Sequence, residues 1–262
     1  MEQLWDLIVY NFIGCFIVFI RVAGIFTFNP IFGRQNVPVR IRVMGAMVLA
    51  VCMLAGMGNT TGYIIRSVPD FFFIVISEAF LGFVFGFITN MFLSTLILAG
   101  GIMDNQAGLM MANVFDPGTG IQMPIFSNFY YYLFIFYFFL TNSHLEYIRL
   151  FNVSYEIIPV GFQFTGSTII AIRGIVEFFG IILTLAVRLA MPIIAAEIIS
   201  QACVGIIMKA VPTIQVFIIN IQMKIVIGLF IIFTLTGPMA DYTANLVNLM
   251  MQSMGGVLRD LI

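Results

Sequence analysis

The sequence predicts an all-α integral membrane protein built from kinked helical hairpins, and three observations carry that expectation. Of 262 residues, 61% are hydrophobic and only 9% charged, where soluble domains carry about a quarter charged residues. The mean hydropathy is +1.10, and the apolar residues gather into about six hydropathy segments separated by Gly, Pro and polar clusters. Backbone N–H and C=O groups in lipid must be satisfied within the segment itself, which leaves the helix as the spanning form for runs of roughly 20 residues.

The segments follow in chain order. Leu7 to Phe28 has spanning length and contains Arg21, and Pro30 and Pro38 bracket the connection after it. Val43 to Met57 is short. Phe71 to Ile102 and Ile169 to Ile199 are each too long for one straight span, which predicts tilted, broken or paired helices. Ile125 to Leu140 is short and aromatic, and Ile214 to Leu235 carries Gln215, Asn220, Gln222 and Lys224. Pro192 lies inside the fifth run and predicts a kink, because proline removes a helix hydrogen bond and clashes with the preceding turn. After Gly237-Pro238 the tail 239–262 is amphipathic, with Leu246, Met250, Val257 and Leu261 on one face, and a break or hinge is expected at Gly255-Gly256. No repeat or low-complexity linker divides the chain, so residues 1–262 read as a single membrane domain ending in that tail.

The start, Met1 to Asp6, is acidic and no small-residue cleavage site follows the first apolar run, which is therefore expected to remain in the mature protein. Arg34, Arg40 and Arg42 form the strongest basic cluster. The positive-inside rule puts that connection in the cytoplasm and the N-terminus outside. Cys15, Cys52 and Cys203 lie in apolar sequence without metal-ligand spacing and read as small core residues.

Between Gly100 and Pro124 the helical pattern gives way to a long stretch rich in Gly, Asn and Met, with Asp104 and Asp116 as its only charges. Irregular backbone at membrane depth is tolerated only where protein buries it or a cavity receives it, so this stretch predicts a loop folded into an assembly, at or inside a pore. Val114 to Gly120 has turn chemistry, with Pro117 fixing one dihedral and Gly118 and Gly120 permitting positive ones; it is either an ordinary surface turn or the tip of a plug. Met103, Met110, Met111 and Met123 supply adaptable thioethers, suited equally to core packing and to a deformable seal.

Arg21, Glu78, Arg173, Glu177, Arg188, Glu197 and Lys224 lie within or at the ends of apolar runs. Each costs at least ~2.5–3.5 kcal/mol at the bilayer centre, so each needs a partner or water. A proton relay, a transported-ion site and a polar pore wall compete with ion pairing that simply locks a bundle. The near match of acids and bases favours locking, and Arg173 and Glu177 have the i, i+4 spacing of a helical pair. Glu78 is the candidate for a relay, on its isolation alone. Gly82 and Gly86 form a small-xxx-small pair that permits close helix approach.

Several classes are excluded. A net charge of −1 offers no basic surface for nucleic acid. His144 is the only histidine, no nucleophile motif such as G-x-S-x-G is present, and the Gly-rich stretch lacks the Lys and Ser/Thr of a phosphate loop. An enzyme is not expected, nor is a metal or other cofactor.

Taken in order and spacing, these residues resemble the FliR family, the R subunit of the flagellar type III export gate, related to the T subunit of injectisomes. The likeness runs along nearly the whole chain. Its marks are Arg21, Pro30, Phe32-Gly33 and Pro38; Gly100 to Asp104, Gln106-Ala107-Gly108, Met111-Ala112 and Asp116-Pro117; His144, Ser154-Tyr155 and Pro159; then Arg188-Leu189-Ala190, Pro192, Lys224-Ile225 and Gly228-Leu229. The resemblance implies one copy of this chain in a helical ring with P and Q subunits (FliP, FliQ), and a B subunit (FlhB) beside them, in the bacterial inner membrane at the flagellar basal body. It also implies that unfolded export substrates pass through the ring and that the charged residues satisfy one another across subunits. Matched residue by residue, it implies a pore plug at Met110, Met111, Asn113, Phe115, Asp116, Pro117, Gly118 and Gly120. The function expected is therefore a pore-forming subunit whose loop closes the channel. The rivals are a secondary transporter using the intramembrane charges as a midplane site, which would require inverted sequence halves, and a scaffold whose loop does not gate.

Overall fold

A computed structural model describes residues 2–34, 36–57, 67–109, 124–160, 168–210 and 216–260; of residues 2–11, 168–176, 208, 210, 216–219 and 260 it describes the backbone alone. The described residues form seven α-helices: α1 (Glu2–Phe28), α2 (Val39–Met57), α3 (Val68–Gln106), α4 (Ile125–Leu140), α5 (Ser143–Ile157), α6 (Thr168–Ala210) and α7 (Val216–Asp260). Four contain apolar stretches long enough to cross a membrane: Val39–Gly56, Val68–Gln106, Glu177–Ile207 and Asn220–Arg259. The all-α class expected from composition is the class observed.

The chain divides into two compact units. One comprises Met1–Met91, Asn142–Gly174 and Asn248–Ile262, and the other Phe92–Thr141 and Ile175–Val247. In the first, α1 buries Ile17, Val18, Arg21, Val22 and Ile25 along one stripe and packs on α2. Amphipathic α5 buries Tyr147, Phe151, Ser154 and Tyr155 at the i, i+4, i+7, i+8 positions of a single face. In the second, α4 buries Phe126, Ser127, Tyr130, Phe134 and Phe138 at the same helical period.

Several expectations are corrected. The long runs are not broken: α3 is one 39-residue helix and α6 one 43-residue helix with Pro192 inside it. The buried stripe of α3 keeps a three- and four-residue rhythm from Ile74 to Met103, giving the helix a packed face over its whole length. The helix α5 falls outside the six segments because Ser, His, Glu, Arg and Asn make it too polar for a hydropathy window. The break expected at Gly255-Gly256 is absent. A helical glycine keeps its N–H, and α7 runs through both glycines and through Pro238 to Asp260. Cys52 and Cys203 are exposed and Cys15 is half-buried, so the cysteines are not core residues; small apolar side chains also suit outward faces of membrane-length helices.

Candidate functional site

In the first unit Arg21 is fully buried, and its five guanidinium donors all have acceptors. Nε donates to Glu78 Oε2 at 2.5 Å and Nη2 to Glu78 Oε1 at 3.0 Å, the bidentate geometry favoured between guanidinium and carboxylate. Nη1 donates to the carbonyl and the hydroxyl of Ser154, each at 3.2 Å, and Nη2 also to the Ile158 carbonyl at 3.1 Å. The Tyr155 ring lies 4.0 Å from the guanidinium carbon, a cation–π contact, and its hydroxyl donates to the Val18 carbonyl at 3.2 Å. One side chain thus joins α1, α3 and α5.

Glycine makes this reach possible. A Cβ at Gly82 would lie 2.2 Å from the Arg21 carbonyl oxygen, and one at Gly24 would lie 2.8 Å from the Gly82 Cα. At Gly86 a Cβ would meet the Phe28 Cβ at 2.7 Å. The small pair read from the sequence is therefore the seat of α1 on α3. One turn further on, buried Asn29 donates to Tyr147 Oη at 3.0 Å and Thr89 Oγ1 at 3.3 Å, and its Oδ1 accepts the Ile31 N–H at 2.8 Å, shaping the chain as it leaves α1. Burial pushes the Tyr147 hydroxyl pKa up to about 12, partly opposed by its bonds to Thr89 and Asn29, and burial raises Tyr155 as well.

In the second unit Asp104 is 1% exposed. Its Oδ1 accepts the Phe126 N–H at 2.9 Å, and its Oδ2 accepts the Ser127 N–H and hydroxyl, each at 3.4 Å. Pro124, the residue before α4, has no side chain to cap the helix, and Asp104 performs that task from α3. Ser127 also donates to the Ile97 carbonyl at 3.0 Å, while Gly100 lets the two backbones meet: a Cβ there would fall 2.3 Å from Ser127 N. Just beyond α3, a Cβ at Gly228 would lie 2.8 Å from the Ala107 Cβ, and one at Gly108, whose φ is +71°, would lie 3.7 Å from the Lys224 side chain. The two ends of the segment between Leu109 and Pro124 are thus fixed against α3, α4 and α7.

The residues expected to form the plug, Met110, Met111, Asn113, Phe115, Asp116, Pro117, Gly118 and Gly120, lie outside the described residues. The charges expected to form pairs divide into distinct groups. Arg21 and Glu78 pair within this chain, so the isolation that suggested a relay at Glu78 does not exist: both oxygens are engaged and the pair has no exposed face. Arg188 and Glu177 are exposed, and the Arg173 side chain lies outside the described residues. Glu197 is fully buried, and neither carboxylate oxygen has a hydrogen bond among the described residues; half-buried Lys224 is the charge that attracts it.

Sequence reasoning gave no structural role to Asn29, Thr89, Tyr147 or Ser154, which are ordinary polar residues until the fold brings them together. Asp104 was visible as one of two charges in an apolar stretch, a signal that a counterpart must exist. Among the described residues, no group of three His, Cys, Asp or Glu side chains could hold a metal ion.

Comparison with known proteins places the chain in a family. The Flagellar biosynthetic protein FliR of Bacillus subtilis (strain 168) is 26% identical over 92% of this chain and 93% of its own length. FliR of Aquifex aeolicus (strain VF5) is 29% identical over 86% of this chain and 84% of its own. The Surface presentation of antigens protein SpaR of Shigella flexneri is 23% identical over 82% of each. The family described as bacterial export proteins, family 1, matches residues 12–250, a stretch that contains both the Arg21 network and the Asp104 cap, and the chain belongs to that family.

Proposed function

We propose that this chain is a non-enzymatic, pore-forming subunit of the bacterial flagellar type III protein-export gate, and that Met110 to Gly120 close the channel as a plug. The observation that carries the reading is the Asp104 cap. A loop whose ends are held by buried hydrogen bonds to Phe126 and Ser127, and by close glycine contacts, can lie across a pore without dragging the helices that bear it. The names of the relatives, flagellar biosynthetic proteins across several bacteria, support the flagellar assignment. Phe115 to Gly120 form the tip of the plug, with Met110 and Met111 as its deformable seal.

The partners are the P and Q subunits (FliP, FliQ) and the B subunit (FlhB) in the inner membrane at the flagellar basal body, with unfolded export substrates passing between them. The low coverage of the apolar stretches supports such neighbours: within an 18-residue apolar window of each, only 11% of the residues in the Asn220–Arg259 stretch and 28% in the Glu177–Ile207 stretch are buried within the chain. Arg188, exposed on α6, is the charge best placed to meet a counter-ion on an adjacent subunit. Residues 1–262 act as one domain, and the polar face of the tail 239–262 meets solvent or a partner.

The test is conductance of the assembled gate in a planar bilayer. Deletion of Phe115 to Gly120 leaves the complex intact by native mass spectrometry and raises ion leakage, and Asp104→Ala, which frees one end of the loop, raises it to a lesser degree. Unchanged conductance in both variants overturns the plug and leaves a scaffold role.

A further inference from the structure

Between Asp6 and Asp70 the sequence contains no acidic residue but has Arg21, Arg34, Arg40, Arg42 and Arg66. Arg21 is neutralised by Glu78. Arg40 and Arg42 stand in the first turn of α2, which has no acidic residue to offset them. Two cations at the positive end of a helix dipole repel it and one another unless an anion is near. Arg40 is exposed; Arg42 donates to the Gly33 carbonyl at 3.3 Å, its Nε is buried with no acceptor among the described residues, and no described carboxylate bridges to either arginine.

Beside these arginines lies an open apolar groove of about 480 Å³ in the first unit, lined by Phe26, Phe32, Met44, Val48, Cys52 and Phe151 among others. The volume falls within the ~300–1,000 Å³ of small-molecule sites. Met44 is 67% exposed and Val48 64%, so the groove opens along the outward face of α2. From Ile41 to Cys52 it follows about 16 Å of helix at ~1.5 Å per residue. That is the depth of one leaflet, half of the ~30 Å hydrocarbon core.

We propose that this groove holds one acyl chain of an anionic phospholipid whose phosphate is bound by Arg40 and Arg42. Apolar lining of one-leaflet length, with Arg40 and Arg42 flanking its end residue Ile41, matches the two parts of such a lipid. The cytoplasmic placement of this connection by the charge rule gives it access to the leaflet in which anionic lipids attract basic segments. A second protein helix would fill the apolar part but would need a carboxylate of its own at the level of both guanidinium groups.

The test is native mass spectrometry of the full chain released from detergent containing equal amounts of phosphatidylglycerol and phosphatidylcholine with identical acyl chains. Wild type retains phosphatidylglycerol preferentially. Arg40→Gln with Arg42→Gln weakens that retention about 25-fold and weakens phosphatidylcholine, whose phosphate is already offset by its own ammonium, to a much smaller degree. Val48→Trp, which fills the groove, reduces both lipids. Arg259→Gln, on α7, is the charge control, and circular dichroism establishes that each variant is folded. Equal retention of the two lipids by wild type overturns the proposal. So does an equal loss in Arg259→Gln, which would mark general basicity, or a wild-type dimer free of lipid, which would mark the groove as a contact between copies.

Discussion

Glu78→Gln removes one charge of a buried pair while keeping the shape of the side chain. In the folded chain Arg21 and Glu78 are 0% and 1% exposed, so neither can turn to water when its partner is lost. The glutamine oxygen can accept one of the two bonds now made by Nε and Nη2, and its amide faces the remaining donor with another donor. An uncompensated buried guanidinium costs about 3–5 kcal/mol. At roughly 2–4 °C per kcal/mol for a chain of this size, the melting temperature falls by about 6–20 °C. The double variant Arg21→Met with Glu78→Leu removes both charges. It leaves the Ile158 carbonyl without its arginine donor, at about 1–3 kcal/mol, while the Ser154 carbonyl keeps the Ile158 N–H at 2.9 Å. The double variant therefore recovers about 2 kcal/mol of the single loss. Thermal unfolding followed by circular dichroism in detergent micelles reads both values. A single variant within about 1 kcal/mol of wild type would refute burial of the pair, and a double variant less stable than the single would show that the carbonyl anchors outweigh the charge.

Two further outcomes are read by the same thermal measurement. Gly82→Ala, whose Cβ would fall 2.2 Å from the Arg21 carbonyl oxygen, separates α1 from α3 and lowers stability by about 1–3 kcal/mol, whereas Gly180→Ala, with nothing within 4 Å, is neutral or stabilising by up to about 1 kcal/mol; parallel thermal melts compare them. Tyr147 is neutral in the fold up to about pH 12, while an unfolded tyrosine ionises near 10, so its contribution of about 3 kcal/mol is intact below pH 10 and is lost as pH rises from 10 to 12. Tyr147→Phe flattens the fall in melting temperature over that window.

The sequence by itself determined the class of the molecule. With 9% charged residues the chain cannot make a soluble surface, and apolar runs of this length must be helical to satisfy their own backbone. It also marked the exit from α1 at Pro30, the stretch between Gly100 and Pro124 within which α3 ends, and the small pair Gly82 and Gly86, where another helix can approach α3 closely. The resemblance read from Arg21, Gly100 to Asp104, Ser154-Tyr155 and Arg188 agrees with the family the comparisons show. Tertiary structure decided what those marks meet. Whether Glu78 is isolated depends on a residue 57 positions away and on two glycines that bring the helices together, which no local window contains. The helix α5 is legible only through its amphipathic period, since hydropathy averages its buried tyrosines against its exposed polar residues. Asp104 caps a helix that begins 21 residues later. Composition and period are properties of neighbours along the chain, whereas hydrogen-bond satisfaction and close backbone approach belong to residues that only folding makes neighbours.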